Sequence, residues 1–325
     1  MDAIKRRAFL GFALASLAAA RTAFAQQEWP SRSVHLILPF PPGGGADTVA
    51  RAVAARLAEI LGQAVVIENR TGGNAVIAAT AVLAAPRDGY TLLWDGANQI
   101  TNPFLVRDLA FDYRTSFMPI TLLARFPQVV AVRQDFPART IDEFIAHARA
   151  HPAEVTCGTP PSAGMGHLAL ERLQQRAGIR LIHTPYRGAP DAAREIQGGH
   201  IDSVIMTTST IRGPLEAGKV RILAVTSAAR LAVFPEVPTL AERGFPGFDM
   251  DDFNGLYAPA GTPPAVIARM QAAVAQAMRD PAVLARMAPL GTVLVGNATD
   301  VFAAWLVAQR DVVEGIIRDA RITLS

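Results

Sequence analysis

A glycine-rich turn between a short apolar run and a helical pattern limits what this chain of 325 residues can fold into. The apolar run, Val34–Leu38, is typical of a strand covered on both faces. After Gly43 to Gly45, apolar residues recur at helical spacing from Val49 to Ile60, and Gly62 follows as a C-cap should. The sequence therefore predicts a strand–turn–helix unit of an α/β fold.

Three consecutive glycines let the backbone approach a ligand closely. They leave backbone N–H groups pointing outward at the positive end of the helix dipole, where an anion is stabilised. Asp47 stands where an N-cap or first-turn acid belongs. Two interpretations remain open: an anion-binding site, or an ordinary turn between strand and helix with a capping aspartate.

Residues 1–25 are typical of a secretory signal peptide. Lys5-Arg6-Arg7 precedes an apolar stretch that is too short to span a bilayer, and Ala23-Phe24-Ala25 is a small-x-small cleavage signal. The paired arginines fit either a twin-arginine export motif or the positive start of any leader. We expect the exported chain to begin at Gln26 and to reside in the periplasm.

The charge of the exported chain is balanced. Removing the leader takes away four of the 31 basic and one of the 28 acidic residues, which leaves 27 of each. Neutral chains lack the basic surface that nucleic acids and anionic membranes attract, so neither is expected as a partner. Cys157 is the single cysteine and is expected to be a small core residue, not a catalytic thiol.

Strand and helix patterns alternate along the chain with short connections. Strand ends that carry Gly, Ser and Thr occur in two successive units, with no sequence repeat between them. We expect two mostly parallel sheets flanked by helices, with ligands bound at the carboxyl ends of the strands. The stretch from Asn102 to Pro119 reads as irregular, with aromatic residues that pin it to a sheet edge.

An ordered set of short motifs identifies a resemblance that runs from Trp29 to the C-terminus. The motifs are Pro39-Phe40-Pro41-Pro42-Gly43-Gly44, Asp47, Glu68-Asn69-Arg70, Pro86-Arg87-Asp88-Gly89-Tyr90, Asn102-Pro103, His167-Leu168-Ala169, Pro185-Tyr186-Arg187-Gly188, Leu223-Ala224-Val225-Thr226-Ser227, Pro235-Glu236-Val237-Pro238-Thr239 and Ala258-Pro259-Ala260-Gly261-Thr262-Pro263. This set resembles the Bug family, the substrate-binding proteins of tripartite tricarboxylate transporters.

The resemblance implies a two-lobed periplasmic binding protein of the Venus-flytrap type. The chain would cross between the lobes near Phe126-Pro127-Gln128 and near Asp251-Asp252. Lobe one would comprise residues 26–127 and 252–325, and lobe two residues 128–251. The partners implied are a small organic acid and the integral-membrane permease subunits of the transporter, with no cofactor and no metal. A monomer is the default expectation.

Proteins of this family hold a ligand carboxylate with main-chain amides, hydroxyl groups and waters more than with arginine. Carried onto this chain, the resemblance implies ligand contacts from four strand ends and one turn. The residues are Phe40, Pro42, Gly43, Gly44, Gly45, Ala46, Asp47, Asp95, Asn98, Thr159, Ser162, Ala163, Gly164, Met165, His167, Arg187, Thr207 and Thr208.

Two of these residues have more than one interpretation. Arg187 either contacts a second ligand carboxylate or has an exposed or structural role. His167 is expected to cap its helix or to bond the preceding loop, because the metal partners that a histidine ligand would need do not accompany it.

The chain departs from the family pattern at residues that carry bulky side chains. Trp94 stands where small residues are common, and Met165 lies in a loop that is often richer in Ser and Gly. These departures suggest the hypothesis that Met165 and Trp94 line an apolar or aromatic part of the ligand.

The sequence is compatible with three function classes. A transport binding protein is preferred, and a ligand-sensing subunit for a membrane sensor kinase is the alternative. An exported enzyme is less favoured, because the sequence has no Gly-x-Ser-x-Gly elbow, no His-Glu-x-x-His and no Walker motif. Adjacent Asp251 and Asp252 would point to opposite faces of a strand and do not form a catalytic pair.

Overall fold

A computed structural model describes residues 29–161, 163–186 and 188–323. The predicted leader and its cleavage site lie outside the described residues. The first part of the chain alternates strands and helices and ends in a long strand. Its elements are β1 (Val34–Leu38), α1 (Gly45–Leu61), β2 (Val65–Asn69), α2 (Val76–Leu83), β3 (Thr91–Asp95), α3 (Asn98–Leu105) and β4 (Phe117–Phe126).

The middle part repeats this alternation, and the last part returns to the first sheet. The middle elements are β5 (Gln128–Arg133), α4 (Ile141–Ala150), β6 (Thr156–Thr159), α5 (Met165–Ala177), β7 (Ile182–Pro185), α6 (Ala189–Gln197), β8 (Ser203–Thr207), α7 (Thr208–Glu216) and β9 (Val220–Val225). The last are β10 (Asp252–Pro259), α8 (Pro264–Ala277), α9 (Pro281–Met287), β11 (Val293–Leu294) and α10 (Thr299–Ala320).

The strands form two sheets, each covered by helices. The first sheet has six strands in the order β11-β4-β10-β3-β1-β2, and the second has five in the order β7-β6-β8-β5-β9. We call the first sheet with its helices the first lobe, and the second sheet with its helices the second lobe. The predicted two-lobed α/β fold is confirmed.

Strand direction is mixed in both sheets. In the first, β1 pairs in parallel with β2 and β3, while β10 runs antiparallel to its neighbours β3 and β4. In the second, β6 is parallel to β7 and β8, while β5 runs antiparallel to β8 and β9. Strands β5 and β10 each directly follow a passage between the sheets, and the short edge strand β11 is also reversed, because it runs antiparallel to β4.

Local sequence signals explain several element ends. Helix α4 begins with a capping box, in which the Thr140 hydroxyl accepts from the Glu143 N–H and the Glu143 carboxylate accepts from the Thr140 N–H. Gly62 ends α1 in the left-handed conformation, with φ of 68°.

The apolar run of β1 is buried on both faces, as its pattern predicts. Leu36 lies in a core cluster with residues of α1 and α8, while Ile37 lies in the cluster on the opposite face, which includes Phe302 of α10. Because each face is covered by helices, the strand needs no polar alternation.

The stretch expected to be irregular from Asn102 begins inside a helix. Helix α3 runs to Leu105 with Pro103 within it, so the expectation was wrong for its first residues. The aromatic residues that follow do pack together, with the rings of Phe111 and Tyr113 at 4.9 Å between centroids and Tyr113 fully buried. None of the described helices is both long and apolar enough to cross a membrane.

Candidate functional site

One buried carboxylate, that of Asp47, is hydrogen-bonded to the loop between β1 and α1. Asp47 accepts hydrogen bonds from the Gly43 N–H, from Arg51 Nε and from Asn69 Nδ2, each at 2.9 Å. Asn69 Nδ2 also donates to the Phe40 carbonyl oxygen at 2.9 Å. Burial alone would raise the pKa of Asp47, but these hydrogen bonds outweigh it and lower that pKa. Asp47 is thus an anion whose partners are loop and helix groups.

Helix α1 begins without a side-chain cap. Its N-cap is Gly44, and the first intrahelical bond runs from the Thr48 N–H to the Gly44 carbonyl. The preceding N–H groups of the helix therefore have no intrahelical acceptor. Pro42, Gly43 and Gly45 are exposed, whereas Gly44 and Ala46 are half-buried.

The start of α1 faces the start of α7 in the other lobe. A Cβ atom on Gly45 would lie 3.9 Å from Ser209 Oγ. Thr207 is the N-cap of α7, and its hydroxyl lies 3.2 Å from Ser209 Oγ and 3.0 Å from Thr210 Oγ1. The Thr208 hydroxyl donates to the Leu290 carbonyl of the first lobe at 2.9 Å, so it joins the two lobes.

The end of β3 is organised by Asp95, which is fully buried. Its carboxylate accepts from the Gly96 N–H at 2.8 Å, from Asn98 Nδ2 at 2.9 Å and from Gln99 Nε2 at 3.1 Å. Burial raises the pKa of Asp95 to about 6, against the lowering effect of those three donors. Asp95 therefore fixes the first turn of α3 and presents Asn98.

A histidine pair supports the loop between β6 and α5. His167 Nδ1 accepts from the Ala163 N–H at 3.1 Å, and its ring stacks on His183 at 3.9 Å between centroids. His183 Nε2 lies 2.7 Å from the hydroxyl of Thr159, which is fully buried. Burial lowers the pKa of His183 to about 4, so this ring is neutral at pH 7. The prediction that His167 bonds the loop is confirmed.

A cavity of about 80 Å³ lies between the lobes. One water needs roughly 10–15 Å³ by this kind of measure, so the space suits a small solute. The first lobe contributes most of the lining and the second lobe contributes the loop before α5. The lining residues are Phe40, Asn74, Ala97, Asn98, Thr101, Asn102, Leu105, Asp252, Pro161, Ala163 and Gly164.

The cavity brings together four of the predicted site residues, namely Phe40, Asn98, Ala163 and Gly164. The other described ones lie on the same loops and helix starts but do not line this cavity. They are Pro42, Gly43, Gly44, Gly45, Ala46, Asp47, Asp95, Thr159, Met165, His167, Thr207 and Thr208. Ser162 and Arg187 lie outside the described residues.

The hypothesis that Met165 and Trp94 line an apolar part of the ligand is wrong. Met165 is 3% exposed and packs in the core, and Trp94 is fully buried on the face of β3 that α1 and α8 cover. Trp94 Nε1 donates to Asn254 Oδ1 at 3.0 Å, which satisfies the indole inside the core. Cys157 is also buried, which raises the pKa of its thiol to about 12, as expected of a core cysteine.

Several lining residues were missed by the sequence interpretation. Thr101, Asn102 and Leu105 share one face of α3 with the predicted Asn98 by their i, i+3, i+4, i+7 spacing, a signal that Pro103 obscured. Asn74 follows Gly72 and Gly73 in the connection between β2 and α2, and its carbonyl oxygen accepts from Asn102 Nδ2 at 2.7 Å. Within the described ranges, no three His, Cys, Asp or Glu side chains are grouped so as to hold a metal ion.

Comparisons with known proteins agree with this geometry. The model of the tripartite tricarboxylate transporter family receptor matches residues 49–312. The chain is 35% identical over 303 residues to the UPF0065 protein in the tcbD-tcbE intergenic region of Pseudomonas sp. (strain P51), which covers 92% of this chain and 89% of that relative.

Two solved structures are similar over most of the chain. Rpa4515 of R. palustris, solved with adipate, has a TM-score of 0.82 and 31% identity, covering 91% of this chain and 100% of that one. The periplasmic binding protein BugD has a TM-score of 0.78 and 29% identity, with the same coverage. The family and these neighbours are solute-binding proteins and not enzymes. From the family match, the relative and the fold together, this chain belongs to the Bug family of tripartite tricarboxylate transporter receptors.

Proposed function

We propose that this protein captures a small organic carboxylate in the cavity between its lobes and delivers it to the permease subunits of a tripartite tricarboxylate-type transporter. The observation that carries the proposal is the convergence of helix starts from both sheets on one cleft. The starts of α3 and α5 line the cavity from opposite lobes. The starts of α1 and α7 face each other across the lobes.

These helix starts offer free backbone donors to an anion. The N-caps of α1, α5 and α7 are Gly44, Gly164 and Thr207, and none of these helices has a side-chain hydrogen bond at its N-cap. Each helix start carries roughly half an elementary positive charge, and its first N–H groups need acceptors. A ligand carboxylate would satisfy them with charge-assisted hydrogen bonds and without a buried cation.

The cavity size and the relatives support the same ligand class. The polar residues Asn98, Thr101 and Asn102 line the cavity beside the apolar residues Phe40 and Leu105. A small acid with a short carbon chain matches both kinds of lining. Adipate, bound by the similar protein Rpa4515, is such an acid.

Binding would act through closure of the lobes. We place the crossings near residue 127 and near residues 251–252, with lobe one as 26–127 and 252–325 and lobe two as 128–251. The passage from β4 to β5 through Pro127 and the return at β10 support these bounds. A ligand that contacts both lobes favours the closed form, which would dock on the permease. We place the protein in the periplasm as a monomer, exported by way of residues 1–25.

A thermal-shift screen tests this function. The purified protein is heated with mono-, di- and tricarboxylates, acidic amino acids and aromatic acids, with neutral sugars and amines as comparison classes. A ligand at ~100 times its dissociation constant adds roughly 2.7 kcal/mol to the free energy of unfolding, which raises the melting temperature by on the order of 5 °C.

A matched pair of variants locates the binding. Ala97 lines the cavity at the start of α3, so Ala97→Asp should reduce carboxylate affinity at least tenfold through like-charge repulsion. Ala265 is exposed at the start of α8, away from the cavity, and Ala265→Asp should leave affinity unchanged. Stabilisation by sugars or amines alone, or equal effects of both variants, would contradict the proposal.

A further inference from the structure

The cavity has one acidic side chain in its lining. Asp252 begins β10 at the point where the chain returns from the second lobe, and it is the only formally charged residue among the described lining residues. Its Oδ1 accepts from the Phe253 N–H at 2.8 Å. No other hydrogen bond or ion pair to this carboxylate occurs within the described part of the chain.

The neighbouring acids are engaged elsewhere. Asp95 is buried and accepts from Gly96, Asn98 and Gln99. Asp251 lies 3.1 Å from Arg125 Nη2, which also pairs with Asp249. Asp252 is therefore the acid that remains directed at the cavity, with capacity to accept further hydrogen bonds.

The cavity is polarised by this arrangement. The helix starts at Asn98 and Gly164 favour negative charge, whereas the Asp252 carboxylate disfavours it. Burial raises the pKa of Asp252 to about 6, and the negative charge of Asp95 contributes to this rise. At pH 7.5 the Asp252 carboxylate is ionised, and a ligand carboxylate placed against it would be repelled.

We propose that Asp252 determines ligand specificity by accepting a hydrogen bond from a hydroxyl or ammonium group of the ligand. The ligand class of this protein is then hydroxy acids and amino acids, in preference to the corresponding unsubstituted acids. The inference rests on the proposed function, since it names the ligand group that the same cavity would recognise beside Asp252, in addition to the carboxylate at the helix starts. Closure of the lobes removes water from Asp252, so a ligand without a donor would leave its carboxylate unsatisfied.

Matched triplets of acids test this preference. Calorimetry at pH 7.5 compares acetate, glycolate and glycine; succinate, malate and aspartate; glutarate, 2-hydroxyglutarate and glutamate; and phenylacetate, mandelate and phenylglycine. In each triplet the members differ at a single carbon. We expect that within the triplet that binds best, the hydroxy or amino member binds at least tenfold more tightly than the unsubstituted acid. The stronger binding of either the hydroxy or the amino member of that triplet then shows whether the preferred ligand carries a hydroxyl or an ammonium group.

The Asp252→Asn variant isolates the carboxylate. The variant should reduce the preference to within threefold and should bind the unsubstituted acid more tightly than the natural protein does. Asp135→Asn serves as the control, because Asp135 is exposed and pairs with Arg133 away from the cavity. Its preference should equal that of the natural protein.

The outcomes separate this inference from the function on which it rests. Unsubstituted acids that bind the natural protein as tightly as their hydroxy and amino counterparts would overturn the inference and leave the proposed function standing. Retention of the full preference in a folded Asp252→Asn variant would do the same. Failure of every acid in the panel to bind would overturn both.

Discussion

At the scale of single residues, a buried carboxylate of the first lobe holds the start of α3, the helix that lines the cavity. The hydrogen bonds that Asp95 accepts from Gly96, Asn98 and Gln99 hold Asn98 at the cavity. Asp95 thus positions a lining residue and does not itself line the cavity. Gly96 is needed beside it, because a Cβ atom there would lie 2.3 Å from the Phe253 carbonyl oxygen of β10. Strand β10 thus approaches the site more closely than any side chain at residue 96 would permit.

The buried charge of Asp95 predicts an unusual pH dependence of stability. Its pKa of about 6 lies above the unfolded value, ~3.9, so the folded chain holds this proton at higher pH than the unfolded chain does. The contribution of Asp95 to the free energy of unfolding therefore falls as pH rises from about 4 to about 6. Asp95→Asn lacks this titration. Its free energy of unfolding, measured relative to that of the natural protein, should therefore rise by on the order of 2–3 kcal/mol between pH 4 and pH 7.

Urea unfolding at a series of pH values measures this difference. Asp135→Asn is the control, because the hydrogen bond from Arg133 holds the pKa of Asp135 below its usual range. The contribution of Asp135 to the free energy of unfolding therefore changes at lower pH than that of Asp95. A constant difference between the natural protein and Asp95→Asn from pH 4 to pH 7 would show that the buried pKa is not raised.

At the scale of elements, the uncapped helix start is the unit that recurs around the cleft. Gly44 has φ of −73° and ψ of 171°, a conformation open to any residue. A Cβ atom there would make ordinary contact, at 3.5 Å from the Pro41 carbonyl oxygen. Glycine is thus not required by the fold at this position, which fits a backbone kept clear for a ligand.

Replacing this glycine separates stability from binding. Gly44→Asp should leave the free energy of unfolding within a few tenths of a kcal/mol of the natural value or raise it, because aspartate is a good N-cap. It should reduce carboxylate affinity at least tenfold, since its own carboxylate occupies the anion position. Gly44→Asn has the same shape without the charge and should reduce affinity less. Equal affinities of the two variants, measured by calorimetry, would argue against an anion at this helix start.

The sequence predicted the elements better than it predicted their faces. The strand, turn and helix around Gly43 to Gly45 were placed correctly because their glycines and caps act locally. Met165, expected in a loop, is instead the first residue of α5. The orientation of Trp94 was not readable, because β3 is apolar on both faces and shows no alternation. The cavity-lining face of α3 was not recognised, because Pro103 suggested that the helix ends earlier. The position of Asp252 in the cavity was not readable either, because β10 joins the first sheet only after the whole second lobe, and local patterns do not encode such a long-range pairing.

At the scale of the whole molecule, two sheets share a cleft and touch beside it. The Thr208 hydroxyl donates to the Leu290 carbonyl at 2.9 Å, and Arg212 Nη1 donates to the Pro289 carbonyl at 2.7 Å. Apolar side chains of α10 and α5 also lie in one core cluster, so packing joins the lobes as well as these bonds. A ligand shifts the population of the closed form by as much as it binds that form better than the open one.

Solution X-ray scattering with and without a saturating acid from the thermal-shift screen tests capture between the lobes most directly. We expect the radius of gyration to fall when the acid is added, and the acid concentration that gives half of this fall to be at least tenfold higher for Gly44→Asp. An acid that binds by calorimetry while the scattering curves of the free and bound protein superimpose would contradict closure of the lobes around the ligand.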